Sequence, residues 1–227
     1  MSSVAVVMPA LNEREAIIQL LEEMPETVCG RDTETYIIDG GSTDGTQKVV
    51  KESRAELIHQ NYSGGKGAAM RESLDKIESD IYVFMDADMT YPPGELEKLV
   101  RPIENGEAKH VMGSRLERRE KGAFMYRNFY ANKMLGWLYR RLTDSEIRDF
   151  LTGYRAISND LAEKLELNSE GFEIETEITF KTLKLRENVK EVEIKYRPRV
   201  GESKLDFKKE GLKIPLYGLK LSLLELR

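Results

Sequence analysis

The 227-residue chain contains a single cysteine, Cys29, and only two histidines, His59 and His110, far apart in sequence. No intrachain disulfide can form, and a reducing compartment is the simplest reading. A zinc site of the His/Cys kind is disfavoured on the same grounds, so any metal should be a hard ion held by carboxylates. No run of 18 apolar residues occurs, and Met1–Met8 carries no basic stretch or small-residue cleavage site, so neither a spanning helix nor a signal peptide is expected. G-x-G-x-x-G is missing, and Gly64-Gly65-Lys66-Gly67 lacks both Walker A spacing and its Ser/Thr. These absences count against a dinucleotide dehydrogenase and a P-loop NTPase. Only three glutamines accompany 33% charged residues, which leans toward a thermophile.

What is present is unevenly distributed. The net charge is −5, yet Arg115–Arg141 holds eight Lys/Arg against two Glu, and Lys195–Lys213 holds seven against three acidic residues. Two basic segments in an acidic chain point to an anionic partner; nucleic acid is not expected. Short apolar runs at Val4–Met8, Thr35–Ile38, Glu56–His59, Ile81–Met85 and His110–Met112 alternate with helical patterns. That order predicts an α/β fold with a mostly parallel, Rossmann-like sheet flanked by helices. Asn12 followed by Glu15 reads as an N-cap opening a helix through Ile17–Met24, and Thr46–Ser53, Ala68–Ile77 and Glu95–Glu104 read as later helices. Phe124–Leu142 is a further helix, with a polar stripe through Asn128, Asn132, Gly136 and Arg140. Val189–Tyr196 alternates as a strand, and Gly211–Leu226 is an apolar, lysine-bearing tail interrupted by Pro215 and Gly218. The domain is expected to occupy residues 1–206 and the tail residues 207–227.

In an open α/β sheet, ligands sit beyond the carboxyl ends of the strands. Four polar, Gly-rich segments fall there. Asp86-Ala87-Asp88 is the sharpest, since two carboxylates across a turn can face one divalent ion that also bridges a nucleotide diphosphate. With eleven aspartates in the chain the pattern alone is weak, and its place after Ile81–Met85 gives it weight. Asp39, in Asp39–Thr46, is placed to accept a hydrogen bond from a base N–H or a ribose hydroxyl.

Together these segments resemble the family 2 glycosyltransferases of the GT-A fold: VVMPALNE at 6–13, IIDGGSTDGT at 37–46, GGKGAAM at 64–70, MDADMTYPP at 85–93 and GSR at 113–115. The resemblance implies that Pro9, Ala10, Leu11, Glu13 and Asp39 frame the nucleoside of a UDP- or GDP-sugar. It also implies that Lys66 or its neighbours approach that nucleoside and that Asp86 and Asp88 bind Mg²⁺ or Mn²⁺, with Ala87 among the donor-binding residues. RDFLTGYRA at 148–156, GFEIETE at 171–177 and RPRVGESKL at 197–205 are similar to the dolichyl-phosphate mannosyltransferase branch. By that likeness Arg115, Arg148, Thr152, Arg199, Ser203 and Lys204 surround the sugar and the acceptor phosphate. Two positions depart from the branch: Gly40 stands where a second acidic residue is usual, and Thr90 where a glutamine is common.

A phosphate monoester suits such a site. It is mostly dianionic near neutrality, so it needs cations to hold it in line and no general base. The expected reaction is an inverting transfer of a hexose to a polyprenyl (dolichyl) phosphate. The enzyme is expected to lie peripherally on the cytoplasmic face of a membrane, with Tyr130, Trp137 and Tyr139 at the lipid interface. Two alternatives stay open: transfer to a glycan or other soluble hydroxyl with Asp149 or Glu173 as base, and a nucleotide-sugar-binding subunit without turnover.

Overall fold

Val4, Val6 and Met8 alternate with Ala5 and Val7 along the first strand, and all five are buried. A strand apolar on both faces needs helices on both, and the computed structural model of the protein shows that arrangement. It describes residues 3–123, 126–201 and 207–225. The elements are β1 (Ser3–Ala10), α1 (Arg14–Glu23), β2 (Thr27–Val28), β3 (Arg31–Asp39), α2 (Thr46–Lys51), β4 (Glu56–His59), α3 (Lys66–Lys76), β5 (Ile81–Phe84), α4 (Leu96–Glu104), β6 (His110–Arg119), α5 (Tyr126–Thr143), β7 (Arg155–Ser158), α6 (Asn159–Ala162), α7 (Ile174–Lys184), β8 (Val189–Tyr196) and α8 (Phe207–Glu225).

The sheet order is β2-β3-β1-β5-β7-β6-β8, with β4 also paired to β3. β4, β3, β1 and β5 are parallel neighbours, as are β6 and β8, whereas β2 and β7 run against their partners. The expected mostly parallel α/β sheet is therefore found. One face packs Val4, Val6, Met8, Ile37 and Val83 under α1 and α4, and the other packs Ala5, Val7, Ile38 and Phe84 under α3 and α7.

Like β2, α6 and α7, β7 is an element the sequence did not announce. Because it is reversed, its leading loop, residues 149–154, reaches the same rim as the carboxyl ends of the parallel strands. β6 also runs further than expected, to Arg119.

The tail differs from expectation as well. α8 continues through Pro215 and Gly218 and packs on α7 and α5. A Cβ on Gly218 would lie 2.3 Å from the Tyr139 ring, so only glycine lets that ring approach. Tyr139 in turn donates its hydroxyl to the Ile214 carbonyl at 2.7 Å. Tyr139, Phe150 and Phe180 meet edge-to-face or tilted at 5.1–6.0 Å and form a third core with Ile214 and Leu221. Such ring pairs contribute about 0.5–1.5 kcal/mol each beyond their burial.

Candidate active site

The loops after β1 and β3 are stitched together. Asn12 N–H donates to Ser42 Oγ at 2.8 Å, while Asn12 Oδ1 accepts from Thr43 N–H at 2.8 Å. Glu13 N–H reaches Thr46 Oγ1 at 3.1 Å and Arg14 N–H reaches Asp44 Oδ2 at 3.0 Å. Asn12 is thus not the N-cap of α1. It sits at φ +53°, Glu13 takes the cap position, and the amides at the start of the helix are met across the rim by Asp44 and Thr46.

Asp39 lies at the floor of this pair of loops, 1% exposed. Its Oδ2 accepts from Gly41 N–H and Ser42 N–H, both at 3.0 Å, and from Gln47 Nε2 at 2.7 Å. Burial pushes its pKa up, but these bonds outweigh it and hold the carboxyl below its ordinary range. Oδ1 is buried without a partner. A buried carboxylate oxygen left open in this way suits a ligand N–H or O–H. Pro9 is half-buried, Ala10 is buried and Leu11 is 42% exposed beside it.

Asp86 and Asp88 follow β5, and each meets a cation. Lys66 Nζ contacts Asp86 Oδ1 and, at 2.5 Å, Glu175 Oε1 of α7. Arg199 Nη2 lies 2.9 Å from Asp88 Oδ2 and 3.3 Å from Glu13 Oε1. Asp88 Oδ1 also accepts from Thr90 N–H at 3.1 Å and from Thr90 Oγ1 at 2.5 Å. Burial raises the Asp86 pKa, but Lys66, with Arg115 and Arg199 beyond it, brings it below the ordinary value. Burial and the charge of Asp86 together push Asp88 above its ordinary value, against the pull of Arg199. The segment carrying Arg199 is pinned over the aspartates: Arg197 N–H donates to Thr90 O at 2.9 Å and Val200 N–H to Asp88 O at 3.0 Å.

Opposite Asp86 stands Gly153. A Cβ there would come within 2.8 Å of both Asp86 Oδ2 and Lys66 Nζ, so the absence of a side chain keeps this space clear. Among the described residues no cluster of three His, Cys, Asp or Glu is placed to hold a metal. The two aspartates are hard oxygen donors, a set that fits Mg²⁺ or Mn²⁺ with substrate phosphate and water completing the shell. Ala87 packs in the hydrophobic cluster with Met85, Met89 and Tyr91.

Several residues expected around the site are placed differently. Lys66, expected with its neighbours to approach the nucleoside, lies on Asp86 and Glu175. The turn before it is no phosphate cradle, because the amides of Gly65 and Ala68 donate to Glu170 O at 2.9 and 3.2 Å. Thr152 is fully buried, and its hydroxyl donates to Gly113 O at 2.6 Å, so it holds a loop in place of contacting a ligand. Arg148 turns to Glu191 at 2.8 Å and Glu117 at 2.6 Å, partners on β8 and β6. Arg115 is buried and forks onto Asp149, Nε to Oδ2 at 2.7 Å and Nη2 to Oδ1 at 2.6 Å, with its guanidinium 5.6 Å from the Tyr196 ring centre. Ser203 and Lys204 lie outside the described residues.

Sequence reasoning did not single out Gly153, Tyr91 or Arg155, and it assigned Glu175 no role. Tyr91 Oη accepts from Gly153 N–H at 2.9 Å. Arg155, wholly buried, donates to the carbonyls of Thr152 and Glu175, and burial pulls its pKa down to about 10. It holds the loop before β7 against the start of α7. The short TGYRA run carries no periodicity to reveal this, and the glycine was its only local signal.

Comparison with known proteins bears on the family and the fold. The model of "Glycosyl transferase family 2" matches residues 5–166. Glycosyltransferase AglJ of Haloferax volcanii is 31% identical over 87% of this chain and 64% of its own length. The dolichyl-phosphate hexose transferase of the same organism is 32% identical over 89% of this chain and 86% of its own. The first curated relatives it matches are longer: the chain spans 51–64% of their length. Among solved structures, glucosyl-3-phosphoglycerate synthase from Mycobacterium tuberculosis, in complex with Mn²⁺, UDP and glucosyl-3-phosphoglycerate, superposes with a TM-score of 0.77. It covers 99% of this chain and 80% of its own at 23% identity, a likeness of fold.

Proposed function

The chain belongs to glycosyl transferase family 2, and from that premise we propose that it is an inverting hexosyltransferase moving a sugar from a nucleotide diphosphate to a polyprenyl (dolichyl) phosphate. The observation that carries this reading is the state of the carboxylates near the rim. Asp149, a candidate general base for a hydroxyl acceptor, has both oxygens engaged by Arg115. Glu173, the other candidate, pairs with Lys213 at 2.9 Å. A hydroxyl acceptor needs a base, whereas a phosphate monoester brings its own anionic oxygen. The dolichyl-phosphate hexose transferase relative, matched over most of both chains, supports the same acceptor class.

In this mechanism Asp39 Oδ1 takes a base N–H or a ribose hydroxyl and, with Pro9, Ala10 and Glu13, orients the donor. A divalent ion, Mg²⁺ or Mn²⁺, at Asp86 and Asp88 would supply Lewis-acid stabilisation of the leaving diphosphate, worth several kcal/mol or about three decades in rate. The acceptor phosphate oxygen forms the new bond to the anomeric carbon from the face opposite the diphosphate. The old bond breaks, its electron pair leaves on the diphosphate, and the configuration inverts. Arg199, whose Nε is buried without a partner, is the described guanidinium best placed to steady phosphate at the rim, with Lys204 beside it in sequence. Arg115 acts one step back by holding Asp149 and the loop before β7.

The lipid acceptor implies action at a membrane face, on the cytoplasmic side. No helix among the described residues is long and apolar enough to cross a bilayer. Tyr130 at 67%, Met134 at 70% and Trp137 at 58% exposure nevertheless form one outward face of α5, and Leu216 and Leu223 are exposed on α8. Lys133, Arg141 and Lys220 are exposed on the same two helices. Apolar and aromatic groups among cations suit an anionic lipid interface. Tyr139 takes no part, since it is fully buried.

The test is transfer of radiolabelled sugar into a lipid-extractable product from a panel of UDP- and GDP-sugars, with dolichyl phosphate and with or without Mn²⁺. A lipid product that requires metal and falls roughly a thousandfold in Asp88→Ala is expected. Donor hydrolysis without lipid product would move the reading to a soluble acceptor, and nucleotide binding without turnover to a binding subunit.

A further inference from the structure

The aspartate pair and its two cations form a charge-balanced set that the reaction alone does not explain. Asp86 and Asp88 each carry a cation, and each cation touches a second carboxylate: Lys66 bridges Asp86 and Glu175, and Arg199 bridges Asp88 and Glu13. Four carboxylates face two cations, leaving a formal −2, the charge one divalent ion cancels. Arg115 does not enter this balance, because Asp149 neutralises it.

The depths of these groups are unequal. The side chains of Lys66 and Glu175 are 10% and 6% exposed, whereas that of Asp86 is 30% exposed. Glu175 therefore lies behind Lys66 and Asp86 lies toward the rim. An ammonium group this deep cannot be left unpaired without a large desolvation penalty. If Asp86 were its only partner, any ion binding Asp86 would have to break that pair outright.

We propose that Lys66 is the resident counter-cation of Asp86 and that Glu175 is its docking carboxylate, onto which Lys66 withdraws when Asp86 turns to a divalent ion. Arg199 and Glu13 form the matching pair at Asp88, closer to the surface. Glu175 is in this sense a positioning residue: it acts on the metal site through Lys66. The site then keeps its carboxylates paired before and after loading, and no buried charge is exposed on the way. The inference rests on the metal reading above and adds a role for a residue of α7 that the reaction does not use.

Titration of the protein with Mn²⁺ alone, followed by the EPR signal of free Mn²⁺, tests it. Glu175→Gln leaves Lys66 with Asp86 as its only charged partner, and Mn²⁺ affinity should fall roughly tenfold, the scale of lost outer-shell partners. Removing the competitor as well, in Lys66→Met/Glu175→Gln, should return affinity to the wild-type value or above. A purely structural Glu175 would not show this rescue. Glu175→Asp, which keeps the charge and shortens its reach, should fall between wild type and Glu175→Gln, and it serves if the Gln variant does not fold. Wild-type affinity in Glu175→Gln, or a double variant no better than the single, would overturn the handover while leaving the metal site standing. A wild-type protein that binds no Mn²⁺ would remove the metal reading and the handover together.

Discussion

The donor side and the acceptor side of the rim are built from different interactions. On the donor side, loops after β1 and β3 are joined by short polar side chains bonding to backbone amides, with Asn12, Ser42, Asp44 and Thr46 each reaching across. On the acceptor side, charged pairs join residues distant in sequence: Arg115 of β6 with Asp149 before β7, Lys66 of α3 with Glu175 of α7, and Arg199 after β8 with Asp88 after β5. Amide bonds of the first kind fix a backbone and leave nothing to rearrange. Of the second kind, Lys66 and Arg199 each touch two carboxylates and so have an alternative partner within reach. The donor side is thus a rigid template, and the metal and acceptor side is where charge can be redistributed as substrates arrive.

Two glycines give the largest test of that difference. Gly153 faces Asp86 and Lys66, so Gly153→Ala puts a methyl group into the charged set with little burden on the core. Transfer should fall roughly a hundredfold, the cost of misplacing reacting groups by about an ångström, with a melting temperature close to wild type. Gly67 lies against backbone, its added Cβ 2.5 Å from Ser169 O and 2.8 Å from Gly171 O. Gly67→Ala should lose about 1–3 kcal/mol of stability through overpacking, with a proportionate loss of folded enzyme. Thermal melts beside transfer rates separate the two. A Gly153→Ala protein that is fully active would mean that the space opposite Asp86 is not used.

The next effect concerns the outer face of the acceptor side. Trp137→Glu replaces an exposed aromatic on α5 with a charge and should abolish cosedimentation with anionic vesicles. Because Trp137 is 58% exposed, the fold should tolerate the change. Vesicle binding equal to wild type would show that α5 is not the membrane-facing helix.

The two sides also differed in how far the sequence disclosed them. Pro9–Glu13 and Asp39–Thr46 are contiguous runs at the ends of regular strands, so their place on one rim could be inferred from alternation alone. On the acceptor side only Asp86–Asp88 is such a run, and the rest depends on facts that no local pattern carries. β7 has four residues, RAIS, and nothing in them indicates that it runs backwards and lifts Gly153 and Asp149 to the rim. Arg148 and Arg115 look alike in sequence, yet one turns to Glu191 and Glu117 while the other is buried on Asp149. For α5 the periodicity was visible but not its direction: Gly136 faces the protein, packed on the Arg148 carbonyl, and Met134 and Trp137 face out. Pro215 and Gly218 suggested a broken tail because helix propensity is local, whereas the packing of Tyr139 that sustains α8 comes from another helix.

The smallest expected effect compares an anchor of the loop after β4, which borders the donor side where Gln60 N–H donates to Asp39 O at 2.9 Å, with an anchor on α7. Glu72 of α3 accepts from Asn61 N–H and Tyr62 N–H at 2.9–3.0 Å, holding the loop before α3. Glu177 of α7 accepts from Asn168 N–H and Ser169 N–H at 2.8–3.1 Å, holding the loop that packs on Gly67. Burial pushes both pKa values up, but the amides and a neighbouring lysine, Lys76 or Lys181, more than compensate, so both lie below the ordinary glutamate value in the folded protein. A carboxyl whose pKa is depressed on folding stabilises the protein above its unfolded pKa, near 4.3, and loses that contribution as pH falls through its lower folded value. Melting temperature should therefore be level from neutrality to about pH 5 and decline below it. Glu72→Gln and Glu177→Gln should each start lower and decline less steeply, by at most a few degrees, because each removes one proton-linked group. A rigid donor side separates the two variants further. Glu72→Gln should leave Mn²⁺ affinity unchanged, whereas Glu177→Gln loosens the α7 turn that also carries Glu175 and should weaken it slightly. Equal effects on Mn²⁺ would mean that the two loops move as one unit, joined through Gly65 and Glu170, and that the division between the sides lies elsewhere on the rim.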